Sequence, residues 1–143
     1  MKELLRGLSE HRAETDPTST DHRLSGRTYA IPFENVWHAA TSLAAGGLRG
    51  WSLWVADDQE GVIEASVSPM LFLAAEDVRI EIGLDENAQT RVDLTSASRT
   101  TRGDLGRNRR TIGGFIRRLD GLLDAGPTQI LDATKKPTWQ ERH

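Results

Sequence analysis

The 143-residue sequence predicts an α+β fold: an antiparallel sheet of about five strands with two helices packed on one face, in the order β-α-β4-α. Three observations predict it. Two stretches, near residues 33–47 and 109–123, carry apolar residues at the three-and-four spacing of a helix. Between them, four successive segments alternate apolar and polar residues with the period of two that marks strands. Clusters of Asp, Asn, Gly and Gln separate those segments as turns. A sheet with one apolar face needs a cover, and two amphipathic helices supply it.

Taken in order, Leu4, Leu5 and Leu8 place a short amphipathic helix within Met1 to Arg12, followed by an irregular linker rich in Thr, Ser and Asp. Residues 1–26 are therefore read as a short helix and linker, 27–126 as a single α+β domain, and 127–143 as a polar tail with Ile130, Leu131 and Trp139 as docking points. "RTYAIPF" is a strand stopped by Pro32, which suits the first turn of a helix because it lacks an amide hydrogen. Val36, Trp37, Ala40, Leu43 and Ala44 form the stripe of that helix, and Gly46-Gly47 ends it. "GWSLWVA" sets Trp51, Leu53 and Val55 against Ser52, Trp54 and Ala56, and "VIEASVS" sets Ile63, Ala65 and Val67 inward. After Pro69, "MLFLAAEDVRIEIG" ends with Val78, Ile80 and Ile82 alternating with Arg79 and Glu81. "QTRVDLTSASR" puts Thr90, Val92, Leu94, Ser96 and Ser98 on one parity. The second helix runs from about Arg109 to Leu123, with Ile112, Phe115, Ile116, Leu119, Leu122 and Leu123 on its buried stripe and Asn108 as its N-cap.

At this length the chain is one domain that buries about two thirds of its unfolded surface. It has no cysteine, which excludes disulfides, thiolate metal sites and thiol nucleophiles. No window approaches a membrane span, and the first residues contain no apolar run of signal-peptide length, so a cytoplasmic protein is the expectation.

Net charge is only −3, but it is unevenly spread. Asp57 to Glu86 holds nine acids and one base, whereas Arg99 to Arg118 holds seven arginines and one acid. Two readings of the arginine-rich stretch compete. In one, Arg99, Arg102, Asn108 and Arg110, with Gly103 and Gly106 beside a helix start, form a site for a small anion. In the other, the arginines pair internally with Asp93, Asp104 or the acidic strands, and this structural reading carries more weight. Nucleic acid is disfavoured because the stretch offers no aromatic platform except Phe115, which sits on the buried stripe.

"YAIPFENVWHAA", "GVIEASVSPMLFLAAEDVRIEI" and "TRVDLTSASRTTRGDLGRNRRTIGGFIRRL" resemble the bacterial family called domain of unknown function 1499, from about Tyr29 to Leu123. The element order resembles that of helix-grip and TATA-binding-protein-like folds. The resemblance implies kinship and brings no catalytic residues with it. Many members carry cysteines that this sequence lacks.

No catalytic residue, metal ligand set or cofactor motif stands out. His38 reads as a solvated residue on the polar face of the first helix. Trp37, Trp51, Ser96 and Ser98 are candidates to line a pocket. The leading expectation is a non-catalytic domain that binds a small anionic or amphipathic ligand between sheet and helices. The alternative is a protein-interaction or scaffold domain using a sheet face or edge, including a homodimer, with Trp54 and Val62 facing outward. An enzyme would need Asp93, Asp104, Ser98 and arginines gathered in one cleft.

Overall fold

A computed structural model describes residues 12–68, 75–99 and 105–133. Residues 1–11 of the expected first helix, the apolar run after Pro69, Arg102, Asp104 and Trp139 lie outside these residues, and Arg12, the end of that expected helix, opens a strand instead.

Among the described residues seven strands form one sheet: β1 (Arg12–Glu14), β2 (Arg27–Tyr29), β3 (Trp51–Asp57), β4 (Val62–Val67), β5 (Glu76–Leu84), β6 (Thr90–Ser98) and β7 (Ile130–Leu131). The sheet is antiparallel and its order is β3-β4-β5-β6-β2-β7. β1 pairs the other half of the β6 edge that β2 uses, Ala13 facing Ser96 and Thr28 facing Arg91. The five expected strands are β2 to β6. The count rises to seven because the sheet also takes in β1 and β7, three and two residues long, too short to show a period. Both lie outside the 27–126 range.

Helix α1 (Phe33–Ser42) starts after Pro32, whose extended backbone and free carbonyl receive the amides of Asn35 and Val36. It continues into a wider turn, Leu43–Gly47, within which Gly46 has φ 119. Such a φ is strained for any residue with a Cβ, which explains the glycine there. Helix α2 (Leu105–Leu122) begins earlier than its apolar stripe suggests. Asn108 is therefore inside the first turn and fully buried, not the N-cap. No helix among the described residues is long and apolar enough to cross a membrane.

Both helices cover one face of the sheet. The core joins Val36, Ala40, Leu43 and Ala44 of the first helical run to Ile112, Phe115, Ile116 and Leu119 of α2. Beneath them lie Ile63, Ala65, Val67, Val78, Ile80, Ile82, Val92 and Leu94. Register explains this: Ile63 faces Ile80, Ile80 faces Leu94, and Val78 faces Ser96, so one parity of every central strand points to the helices. Asp120 of α2 fastens the helix to β2. It accepts from Tyr29 Oη at 2.6 Å, Arg27 Nε at 3.1 Å and Arg27 Nη2 at 2.7 Å. Burial first, and then this carboxylate, push the Tyr29 phenol far above its ordinary range.

One strand departs from simple alternation. A bulge between Leu53 and Val55 shifts the pairing of β3 with β4. Trp51 and Leu53 share the helix-side parity, but Val55 stands opposite Glu64 and so faces outward, contrary to the alternation of Trp51, Leu53 and Val55. An inserted residue re-aims the side chains that follow it, and sequence periodicity carries no sign of it.

Candidate functional site

The two faces of β6 carry different polar chemistry. On the helix side, at the end nearest the start of α2, Glu76 is fully buried. Glu76 precedes Val78, Ile80 and Ile82 on the apolar parity of β5, so it enters the core edge by the same rule as they do. Thr111 Oγ1 lies 3.0 and 2.9 Å from its two oxygens, and Ser96 Oγ lies 3.1 Å from one. Arg107 Nε approaches at 3.5 Å. Ser96 Oγ is also 3.0 Å from Asn108 Oδ1, and Asn108 Nδ2 donates to Ser98 Oγ at 3.3 Å. Ser96 and Ser98 are thus inward-facing as their parity predicts, and their partners are Asn108 and Glu76. A buried carboxylate must be met by donors or positive charge. Here two hydroxyls and a guanidinium meet it.

On the other face, Arg91 and Asp93 form a second buried pair, with side chains 3% and 5% exposed. Arg91 donates to Asp93 from Nε at 3.1 Å and from Nη2 at 2.8 Å. Thr15 Oγ1 donates to the same carboxylate at 2.7 Å, and Arg91 Nη1 reaches Thr28 Oγ1 at 3.2 Å. The chain between β1 and β2 covers the pair. Gly26, at φ +73, lies so close that a Cβ there would stand 2.8 Å from both Arg91 Cζ and Asp93 Oδ1. Asp93 and Ser98 consequently sit on opposite faces of β6 and do not converge on one cleft.

Among the described residues nothing else covers this outer face. A trough of about 560 Å³ crosses it from Arg12 and Glu14 on β1 to Trp54 and Val55 on β3. Its floor is Thr95 and Ala97 of β6, and Asp77, Arg79 and Glu81 of β5 with Glu64 of β4 fill the middle. Trp54 is 68% exposed and held upright by its indole N–H donating to Ser66 Oγ at 3.0 Å. The guanidinium of Arg99 lies 6.0 Å from the Trp54 ring centroid, within reach of a cation–π contact. Arg99 also donates to Asp77 Oδ1 at 3.0 and 2.8 Å, and that hydrogen bonding with the carboxylate's charge holds its pKa above the ordinary arginine value. Arg79 pairs with Glu64 at 2.9 Å and with Glu81 at 4.0 Å, and Arg12 with Glu14 at 3.5 Å. The trough therefore presents an aromatic wall, a small-residue floor and three arginines interleaved with four acids.

The residues named from the sequence are scattered by this fold. Arg99 is on the outer face, Asn108 is buried on the helix side, and Arg110 is exposed on α2. Trp37 stacks on Phe33 at 5.8 Å between ring centroids, while Trp51 meets Phe115 at 5.2 Å. Of those described, Ser96, Ser98 and Asn108 come together. Sequence reading missed Glu76, whose signal was an acid on an apolar parity, and Arg12 and Glu14, whose strand is too short to declare itself. No group of His, Asp and Glu residues able to hold a metal ion occurs among the described residues.

A comparison with curated proteins finds no match. Residues 8–119 match the family described as protein of unknown function (DUF1499), and this span takes in β1 through most of α2, so the chain belongs to that family.

Proposed function

We propose that this is a non-catalytic binding domain, and that its working surface is the open face of the sheet, which takes a polypeptide segment in the trough between Trp54 and Arg12. The observation that carries this reading is the exposed Trp54 standing over interleaved, mutually paired charges. Large apolar side chains held out to water at the rim of a concave surface favour a partner. Because each arginine already has an acid beside it, the trough favours a ligand bearing both signs of charge and an apolar side chain over a simple anion. Polypeptide has that composition.

Two further observations support the outer face over the space between sheet and helices. Trp51 and Phe115 fill the region where a ligand enclosed by the helices would sit. Two arginines flanking the β6–α2 junction are also met by acids of β5, Arg99 by Asp77 and Arg107 by Glu76, so that part of the charge that would attract a free phosphate or carboxylate is already engaged. The layered layout fits the helix-grip and TATA-binding-protein-like architectures, a likeness of architecture that brings no activity with it.

Selection from a random peptide display library tests the reading. The full chain is expected to enrich peptides that carry mixed charge and an aromatic or large aliphatic residue. Thr95→Arg, which fills the floor of the trough, is expected to abolish their binding while leaving the thermal unfolding midpoint close to that of the parent. Peptides that bind the Thr95→Arg variant undiminished would refute the assignment.

A further inference from the structure

The geometry points to a second copy of this chain as the partner of strand β3. Among the described residues β3 is the terminal strand of the sheet, bonded to β4 on one side, with six of its seven residues exposed. An edge strand is a template for another strand, and proteins guard such edges with charge, proline or a bulge. Of these, Ser52 to Ala56 has only the bulge. It instead exposes Leu53, Trp54 and Val55 at 37%, 68% and 44%.

Charge at the two ends of the strand selects a copy of itself. Arg49 precedes β3, and Asp57, Asp58 and Glu60 form its other end and the turn after it; all four are exposed. Antiparallel pairing about a two-fold axis near Trp54 runs the Arg49 end of each copy along the acidic end of the other. It makes the same favourable contact twice, as a closed two-fold interface requires. No like charges face one another along the seam, since the strand interior is uncharged. The bulge between Leu53 and Val55 sets Trp54 and Val55 on the same face, so two copies bring four large apolar side chains together at the axis. The bulge also breaks the hydrogen-bonding edge into short runs, and the apolar seam with its flanking ion pairs carries the contact. Trp54 and Val55 belong also to the wall of the trough, so the test relies on Leu53, Arg49 and Asp58, which lie outside it.

Sedimentation equilibrium of the full chain tests it. The parent is expected to dimerise reversibly. Leu53→Lys, which lies outside the trough, should weaken the dimer roughly tenfold or more, because a charge on an edge strand opposes pairing. Arg49→Glu should weaken it several-fold, and adding Asp58→Arg to Arg49→Glu should restore it. The charge exchange reads out the interface even if Leu53→Lys disturbs folding. A chain that stays monomeric up to millimolar concentration would overturn the inference. So would a dimer in which the Arg49→Glu and Arg49→Glu/Asp58→Arg variants do not differ.

Discussion

Arg91→Met isolates the buried pair that holds the first strand and its following loop against β6. The substitution keeps most of the side-chain volume but removes two hydrogen bonds to Asp93, one to Thr28 Oγ1 and one to the Ser25 carbonyl. The Asp93 carboxylate then stays buried with Thr15 as its remaining side-chain donor. Breaking a buried pair by removing one partner costs about 3–5 kcal/mol, because the other charge is left without compensation. A domain of this size has a total stability of about 5–15 kcal/mol, so the unfolding midpoint in urea should fall steeply. The comparison is Arg79→Met, whose pair with Glu64 is about half exposed on both sides and should cost no more than about 1 kcal/mol. Removing both buried charges, as Arg91→Met with Asp93→Leu, should recover much of the loss, because neither charge is then stranded. Tryptophan fluorescence during urea unfolding measures all four chains. If Arg91→Met costs no more than Arg79→Met, the buried pair is not what secures the loop.

Four other outcomes follow from the same geometry. Gly26→Ala should destabilise by about 2 kcal/mol or more, since it combines a positive φ with collision against Arg91 and Asp93. Gly114→Ala, helical and facing open space, should stabilise by about 0.5–1 kcal/mol, and calorimetry separates the two. Glu76→Ala should cost about 2–4 kcal/mol, because the hydroxyls of Ser96 and Thr111 and the Arg107 guanidinium lose their common acceptor. Tyr29 is the sole tyrosine, and its phenol is pushed upward by burial and by Asp120. In the unfolded chain it ionises near pH 10. Stability is therefore undiminished by this group below about pH 10 and falls as pH rises beyond it, while the unfolded state releases a proton that the folded state keeps. Phenolate absorbance should appear only with unfolding, and Tyr29→Phe should remove that part of the alkaline loss.

How far the sequence could be read depended on whether a feature was periodic. β2 to β6 and both helices were legible because their apolar residues recur over many positions, and parity alone placed Ser96 and Ser98 inward. β1 and β7 were not, since two or three residues have no period and exist as strands only because β6 and β2 offer them an edge. The β3 bulge was invisible for the same reason. Asn108 was misplaced as an N-cap because the helix starts within residues that precede its apolar stripe. That the arginine-rich stretch would be answered by the acidic strands was legible in bulk charge. That Asp77 would answer Arg99 and Glu76 would answer Arg107 depends on the register of β5 against β6 and on how α2 packs over them, which no local pattern encodes. The trough was hardest to see, because five strands contribute to it from distant parts of the chain.

The most direct measurement is an amide and indole chemical-shift titration of the isotope-labelled chain with a library-selected peptide. Shifts concentrated at Trp54, Arg79, Thr95, Ala97 and the Trp54 indole are the result expected of a ligand seated on the open sheet face. Shifts confined to α1 and α2, or to Ser96, Asn108 and Thr111 beneath them, would contradict it.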